Sequence, residues 1–415
     1  MTAASSATAS QSSVNIAASQ APSRVVSIDV FRGLTMAVMI FVNELADVRG
    51  LPWWTYHAHA NEDVMTYVDM VFPFFLFIVG MSLPLSVTQR LKRNPSESGL
   101  WLHVLLRAAS LVGLGLILAN AEKADVSRMG MSGNLWALLG LICGALYLNV
   151  YPASTRFPTY AKILRGIGLC GVVVLFAIFR RTTHTGQVAW IDPSYPEILG
   201  LIGFSYLAVA VLYIPTRRWR WSPIFWFIAM LLLCILATAK ILPWVNHWSI
   251  YFWPFSNGSM ACIIMAGAAT SQIFIGANSR PAPRRAMILA AGFAVAALIA
   301  GWLCTPLGIS KIRATPTWCL YSIGVAVLAF TLLYWVCDVK HRTAWAFPVR
   351  AAGANTLLTY LLPDLWYFLF ASLGVTYLDT HFNLGWLGIV KTVIFTFVIL
   401  ALASALTKAK LRLQL

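Results

Sequence analysis

The segment from Asp29 to Gly80 decides the fold. It reads DVFRG at residues 29–33, FVNEL at 41–45 and DMVFPFFLFIVG at 69–80. These pieces belong to two apolar runs, near residues 27–46 and 64–88, and a short polar loop with His57 and His59 joins them. Each run is long enough to cross roughly 30 Å of hydrocarbon at about 1.5 Å per residue. The sequence therefore predicts two transmembrane helices with a titratable loop between them.

Polar side chains lie inside these two runs or at their ends. A charged side chain at membrane depth costs roughly 2.5–3.5 kcal/mol on insertion scales, so such residues usually face an internal cavity. We therefore expect a functional cavity here. Asp29 and Arg32 have a structural alternative, because residues three apart on a helix can form an ion pair. His57 and His59 are also compatible with a solvated loop that has no function. The residues are Asp29, Arg32, Asn43, Glu44 and Asp69.

The rest of the chain repeats the apolar pattern. Of its 415 residues, 59% are hydrophobic and 11% are charged, as in polytopic membrane proteins. We predict an all-α fold class, a polytopic transmembrane helical bundle of about 12 helices (roughly 10–12). Residues 25–415 would form a single transmembrane domain, and residues 1–24, rich in Ala, Ser, Gln and Thr, a disordered segment. The apolar segments lie near 27–46, 64–88, 101–119, 132–151, 162–180, 196–214, 222–242, 254–276, 286–304, 317–336, 350–374 and 386–406.

The distribution of basic residues predicts the orientation. The loops after even-numbered segments and the two termini hold nineteen Lys and Arg, against eight in the loops after odd-numbered segments. The positive-inside rule then puts both termini in the cytoplasm and the loop with His57 and His59 on the outer side. The net charge of +16 is explained by these loop charges, so we expect no nucleic-acid partner. The seven cysteines include no C-x-x-C pair, and we predict packed, reduced thiols and no metal site.

The motifs of the opening segment occur in a recognisable order. DVFRG, then FVN at 41–43, HA at 59–60 and DMVFPFFLFIVG resemble the heparan-α-glucosaminide N-acetyltransferase family and its bacterial glucosamine-acetylating relatives. The resemblance is strong over about residues 27–90. It implies an acyl-CoA-dependent N-acetyltransferase that passes an acetyl group from cytosolic acetyl-CoA to the amino group of glucosamine, or a related amino sugar, on the outer (periplasmic) side. It also implies a multi-pass protein in the lipid bilayer of a bacterial inner (plasma) membrane, and a homodimer.

The same resemblance implies catalytic residues. The family's active-site histidine precedes an alanine and lies ten residues before the aspartate of D-x-V-F-P, so His59, followed by Ala60, corresponds to it and His57 does not. The family's asparagine follows F-V and corresponds to Asn43. His59 would act as general base or as a transient acetyl carrier, and Asn43 would donate to the acetyl carbonyl. Asp69 would orient His59, or it would cap the start of the next helix or pair with a lysine.

Binding residues follow from the chemistry of the two substrates and from weaker family similarities. The anionic phosphates of coenzyme A suit basic side chains at the inner face, and Arg32 precedes Asn43 by roughly 16 Å along one helix. Each of these residues has a structural alternative. The arginines would only set the orientation, and the Asn355 amide would bond a neighbouring helix. Lys311 would extend its charge to the membrane surface, and Trp318 would lie in the interfacial belt. Predicted for acetyl-CoA are Arg32, Arg93, Arg107 and Arg350, with Asn355 and Tyr360 of GANTLLTY (353–360); predicted for the sugar are Lys311, Trp318 and Glu44.

Two other functions fit part of the pattern. Twelve helices with both termini inside also suit a secondary transporter of a sugar or organic anion, although the two halves of the sequence show no internal repeat. An acyltransferase acting on another envelope glycan fits the first two helices equally well.

Supplying acetyl-CoA to one membrane face at a time tests the predicted orientation. Because the coenzyme's phosphates are expected at the inner face, oriented vesicles should form no product when radiolabelled acetyl-CoA is added only outside. Acetyl-CoA enclosed inside, with the amino sugar outside, should give product. Detergent-permeabilised vesicles serve as the activity control, and equal product from both arrangements would contradict the orientation.

Overall fold

The computed structural model describes residues 25–151, 158–242, 245, 257–276, 281–375 and 377–414. These residues are helical apart from loops and one antiparallel hairpin, β1 (Arg181–Thr182) with β2 (Val188–Ala189). The predicted disordered segment, residues 1–24, lies outside the described residues. The helices are α1 (Val26–Leu45), α2 (Val71–Arg93), α3 (Glu97–Asn120), α4 (Val126–Met129), α5 (Gly133–Leu148), α6 (Pro158–Ile178), α7 (Glu197–Thr216), α8 (Ser222–Thr238), α9 (Ser259–Ile275), α10 (Pro283–Leu303), α11 (Pro316–Tyr334), α12 (Phe347–Ala354), α13 (Thr356–Ser372), α14 (Tyr377–His381) and α15 (Gly385–Lys408).

Eight helical segments among the described residues are long and apolar enough, by length and composition, to cross a membrane. Three shorter apolar helices, α5, α8 and α9, have 16 or 17 residues, and α12 and α13 meet at a break at Asn355. The all-α, membrane-like class agrees with the prediction, whereas the number of spans stays a prediction. The eight segments are Val26–Leu45, Val68–Arg93, Glu97–Lys123, Thr159–Ile178, Glu197–Thr216, Pro283–Leu303, Pro316–Val339 and Gly385–Lys408.

Small residues let pairs of helices approach closely. A methyl group added at Gly80 of α2 would lie 1.8 Å from the carbonyl oxygen of Ile264 in α9, and one at Gly267 of α9 would lie 2.0 Å from that of Phe77. Close backbone approach at small residues is a common way for membrane helices to associate. The α2–α9 contact fixes the second helix of the opening pair within the bundle.

One end of the bundle gathers both ends of the described chain. The backbone N–H groups of Val26 and Ser27 donate to Asp338, at 3.0 and 2.9 Å, just after α11. The segment after α15 returns to the same end, since the N–H of Leu413 donates to Asn355 at 3.1 Å, and Asn355 follows α12, which packs along the first half of α1. This arrangement fits the predicted alternation of basic loops, in which both termini lie on the same side. Which membrane side this end faces stays a prediction.

The opposite end gathers the loops that follow α1, α10 and α14. The N–H of Arg49 donates to the carbonyl of Asn383 at 2.9 Å, and the N–H of Ile309 donates to the Asp63 carboxylate at 3.2 Å. The loop with the two histidines is therefore held against the loop before α11, in which Lys311 lies.

Replacing Gly80 tests the close contact between α2 and α9. Gly80→Ala should destabilise the protein by roughly 1–3 kcal/mol, because the added methyl group would collide with backbone rather than with a movable side chain. Gly292→Ala, in α10, is the matched control, since nothing lies within 4 Å of its methyl group. Thermal unfolding in detergent measures both; equal unfolding temperatures for the two variants would contradict the contact.

Candidate functional site

Asp69 is the buried anchor of the loop between α1 and α2. It is 1% exposed and lies in the single 3₁₀ turn Val68–Met70 that leads into α2. Its carboxylate contacts Nδ1 of His57 at 2.7 Å and accepts from the N–H of Ala58 at 3.3 Å and of Thr66 at 3.0 Å. Because an ionised carboxylate can only accept, Nδ1 of His57 carries the proton and Nε2 is left as an acceptor.

Lys311 completes the group around His57. Its ammonium nitrogen lies 3.4 Å from Nδ1 and 3.5 Å from Nε2 of His57. Burial lowers the pKa of Lys311 from its ordinary value, and the negative charges of Asp69 and Glu197 oppose that shift. A half-buried amine and an imidazole whose Nε2 can act as an acceptor therefore lie side by side, next to a carboxylate.

Two adjoining cavities open beside this group. The smaller has a volume of about 70 Å³ and is lined in part by His57, Lys311, Asn43 and Tyr360. The larger has a volume of about 650 Å³, within the usual range for small-molecule sites. Both are lined by Met39, Asn43, Ile198 and Tyr360. Asn43 and Tyr360 therefore lie between the His57 group and the larger cavity.

The larger cavity has both ionisable and aromatic residues in its lining. Its ionisable lining residues include Glu197 at the start of α7 and Asp364 in the middle of α13. Tyr195 and Tyr367 add ring faces and hydroxyl groups. Sequence reasoning missed Glu197, whose only signal is a carboxylate at the edge of an apolar run.

The structure separates the two histidines of the loop. His57 has a side chain that is 44% exposed and contacts Asp69, whereas His59 is exposed, with its backbone N–H donating to Glu62 at 3.2 Å. His59 is not among the residues that line the two cavities. The structure therefore brings Asn43 and Asp69 together with His57, and the predicted catalytic role of His59 stays a prediction.

Trp318 was predicted to contact the sugar, but its ring is 1% exposed. Its indole N–H donates to the backbone carbonyl of Asp69 at 3.1 Å. The ring is covered on both faces in this structure, and the sugar contact predicted for Trp318 stays a prediction. Through this hydrogen bond Trp318 positions Asp69, which in turn orients His57.

Asn355 was predicted to contact the coenzyme, and its amide is occupied by structural bonds. The NH₂ group donates to Thr407 at 3.0 Å and to the carbonyl of Leu411 at 2.8 Å, and the oxygen accepts from the N–H of Leu413. This agrees with the structural alternative, in which the Asn355 amide bonds a neighbouring helix: its partners lie at the end of α15 and just after it. Tyr360, from the same motif, does line both cavities.

Glu44 was predicted to contact the sugar and is instead buried in an ion pair. Its carboxylate lies 2.6 Å from the ammonium of Lys391 in α15 and accepts from the hydroxyl of Tyr367. These residues line a second, largely apolar groove of about 450 Å³, with walls from α13 and α15, which shares Tyr367 with the larger cavity. Asn43 and Glu44 are consecutive on α1 and therefore point in different directions.

The four arginines predicted for coenzyme A do not form one cluster in the described contacts. Arg32 pairs with Asp29 at 3.5 Å, as the ion-pair alternative proposed, and also donates to Ser82 at 2.8 Å. Arg107 stacks over the ring of Tyr206 at 4.5 Å. Their roles in binding the coenzyme stay predictions, as do those of the exposed Arg93 and Arg350.

Comparisons with known proteins place the chain in a family. A family model described as "Domain of unknown function (DUF5009)" matches residues 24–267, more than half of the chain. The chain belongs to this family. The matched region of this chain includes His57, Asp69 and Glu197. Lys311, Tyr360 and Asp364 lie after it.

Two curated relatives extend this result. Heparan-alpha-glucosaminide N-acetyltransferase from Homo sapiens is 38% identical over 99 residues, and the enzyme of the same name from Mus musculus is 37% identical over 97 residues. These regions cover 24% and 23% of this chain and only 14% of each relative. The resemblance drawn from the opening motifs is therefore confirmed at the level of the family.

A double replacement tests whether Glu44 is structural. Lys391→Met alone leaves a buried carboxylate without its ammonium partner and should lower stability by about 3–5 kcal/mol. Combining it with Glu44→Gln removes both charges and should restore most of that stability. Unfolding in detergent measures the effect. A double variant as unstable as Lys391→Met alone would contradict the structural role of Glu44.

Proposed function

We propose that this chain is a transmembrane acetyltransferase, which moves the acetyl group of acetyl-CoA to the amino group of glucosamine or a related amino sugar. The observation that carries the proposal is the hydrogen-bonded pair of His57 and Asp69 at a cavity that Asn43 also lines. A base, its orienting carboxylate and an amide donor are the groups that acyl transfer requires. The similarity to two named N-acetyltransferases supports this class of reaction.

His57 is the base in this proposal. With Nδ1–H donated to Asp69, Nε2 can take a proton from the acceptor amine as its nitrogen attacks the thioester carbonyl. Asp69 then stabilises the imidazolium, as the aspartate does in a Ser-His-Asp triad. The motif match favours His59, but in the described part of the chain only the backbone N–H of His59 contacts a carboxylate, that of Glu62, and His59 does not line the smaller cavity.

Asn43 and Lys311 would supply the other electrostatic contributions. The Asn43 amide can donate to the acetyl oxygen while negative charge develops on it, and the Lys311 ammonium lies close enough to add positive charge. When the tetrahedral intermediate collapses, the C–S bond breaks and the coenzyme leaves as a thiolate, which can take the proton held by His57. In a two-step route Nε2 of His57 would carry the acetyl group instead, so both routes use the same atom.

The orientation of the reaction belongs to the same proposal. The coenzyme would enter from the cytosolic end, where Arg32, Arg93 and Arg350 lie, and reach the site through the bundle. The amino sugar would enter from the outer end, where the loop with His57 meets the loop with Lys311. The bacterial inner membrane and a homodimer remain expectations drawn from the family.

Replacing each histidine separately tests the assignment. His57→Ala and Asp69→Asn should each lower kcat for glucosamine acetylation by about 10²-fold or more, because the base is lost or its tautomer is changed. His59→Ala is the matched control and should retain kcat within about threefold. Acetyl transfer by purified protein in detergent, with acetyl-CoA and glucosamine, measures all three. Full activity in His57→Ala together with loss in His59→Ala would return the catalytic role to His59.

A further inference from the structure

We propose that the larger cavity binds the acceptor as its ammonium ion, through the carboxylates of Glu197 and Asp364. This inference rests on the proposed function and adds to it the two residues that recognise the charged amine of the acceptor. It concerns residues that lie beyond the His57 group, on the far side of Asn43 and Tyr360.

Glu197 is held in a fixed, uncommon conformation at the cavity. Its backbone φ is +56°, a left-handed value that non-glycine residues rarely adopt. One carboxylate oxygen accepts from the N–H of Ile198 at 2.8 Å and lies 3.5 Å from the hydroxyl of Tyr195. These contacts orient the carboxylate at the edge of the cavity that Tyr195 and Ile198 also line.

Asp364 supplies the second carboxylate, from the interior of the bundle. It lies midway along α13 and lines the larger cavity. Its carboxylate accepts no hydrogen bond from any residue in the described parts of the chain. An ionisable group at this depth is costly unless it is paired or serves a ligand. Within the described residues, the carboxylate of Asp364 is therefore left to bind a ligand in the larger cavity.

The lysines nearest to the cavity have other partners. Lys123 lines the cavity but lies 3.0 Å from the carboxylate of Asp192. Lys311 lies beside His57 in the smaller cavity. Two carboxylates therefore face a shared space, and a ligand with a positive charge would be attracted to both.

The remaining lining fits the rest of an amino sugar. Tyr195, Tyr360 and Tyr367 contribute aromatic rings to the lining, which suit a cation or an apolar sugar face. Because Tyr360 and Asn43 also line the smaller cavity, an amine bound here lies next to the His57 group. Acetylation removes the positive charge, so the neutral product loses its attraction to the carboxylates, which favours release.

Equilibrium binding of glucosamine without acetyl-CoA tests the inference directly. Isothermal titration calorimetry on the full chain in detergent should show Kd values at least about tenfold weaker for Glu197→Gln and for Asp364→Asn than for wild type. Wild type should also bind N-acetylglucosamine at least about tenfold more weakly than glucosamine, a comparison that needs no variant. Glu62→Gln, a surface carboxylate outside the cavity, is the matched control and should bind glucosamine as wild type does.

Steady-state kinetics separates this inference from the proposed function. Both carboxylate variants should raise the KM for glucosamine, with kcat within about threefold and the KM for acetyl-CoA unchanged, which also shows that they are folded. Binding as described without any acetyl transfer would overturn the proposed function and leave the inference standing. Acetyl transfer with an unchanged glucosamine KM in both variants, or equal affinity of wild type for glucosamine and its acetylated form, would overturn the inference.

Discussion

The buried carboxylate of Asp69 is the contact on which the site depends. A charge 1% exposed is stable only when its oxygens are satisfied, and the partners that satisfy it come from the loop that must be positioned: Nδ1 of His57 and the N–H groups of Ala58 and Thr66. Its backbone carbonyl receives the indole N–H of Trp318. One residue at the head of α2 thereby joins the loop, α2 and α11.

The polar residues within the helices divide into two kinds. Asp29 with Arg32, and Glu44 with Lys391, use their charges on each other, which lets α1 carry ionic groups inside an apolar bundle. Asn43 and Asp364 face cavities instead. Since a helix advances about 100° per residue, neighbours such as Asn43 and Glu44 reach different surroundings. Depth in the membrane alone therefore does not identify a functional residue; the direction of its side chain does.

The sequence could predict what depends on local pattern. Apolar length and the opening motifs predict the helix pair, the family and the places of Asn43 and Asp69. The choice between His57 and His59 depends on the conformation of the loop, which brings His57 to Asp69, twelve residues later. The spacing of a motif does not predict that conformation. Trp318 and Glu197 acquire their roles from segments that are distant in sequence, α2 in one case and α13 in the other. Such contacts exist only once the bundle has formed.

The electrostatics of the two adjoining cavities are opposite, and the proposed reaction needs this difference. An amine arrives as an ammonium ion, which carboxylates stabilise, yet only the neutral amine can attack a thioester. Near Glu197 and Asp364 the charged form is favoured. Near Lys311 and His57 a second positive charge is disfavoured, so the ammonium releases its extra proton to water, and Nε2 of His57 is kept for the proton that the neutral amine loses as it attacks. Moving from the larger cavity to the smaller one, past Asn43 and Tyr360, therefore favours loss of the proton where the acetyl group is received.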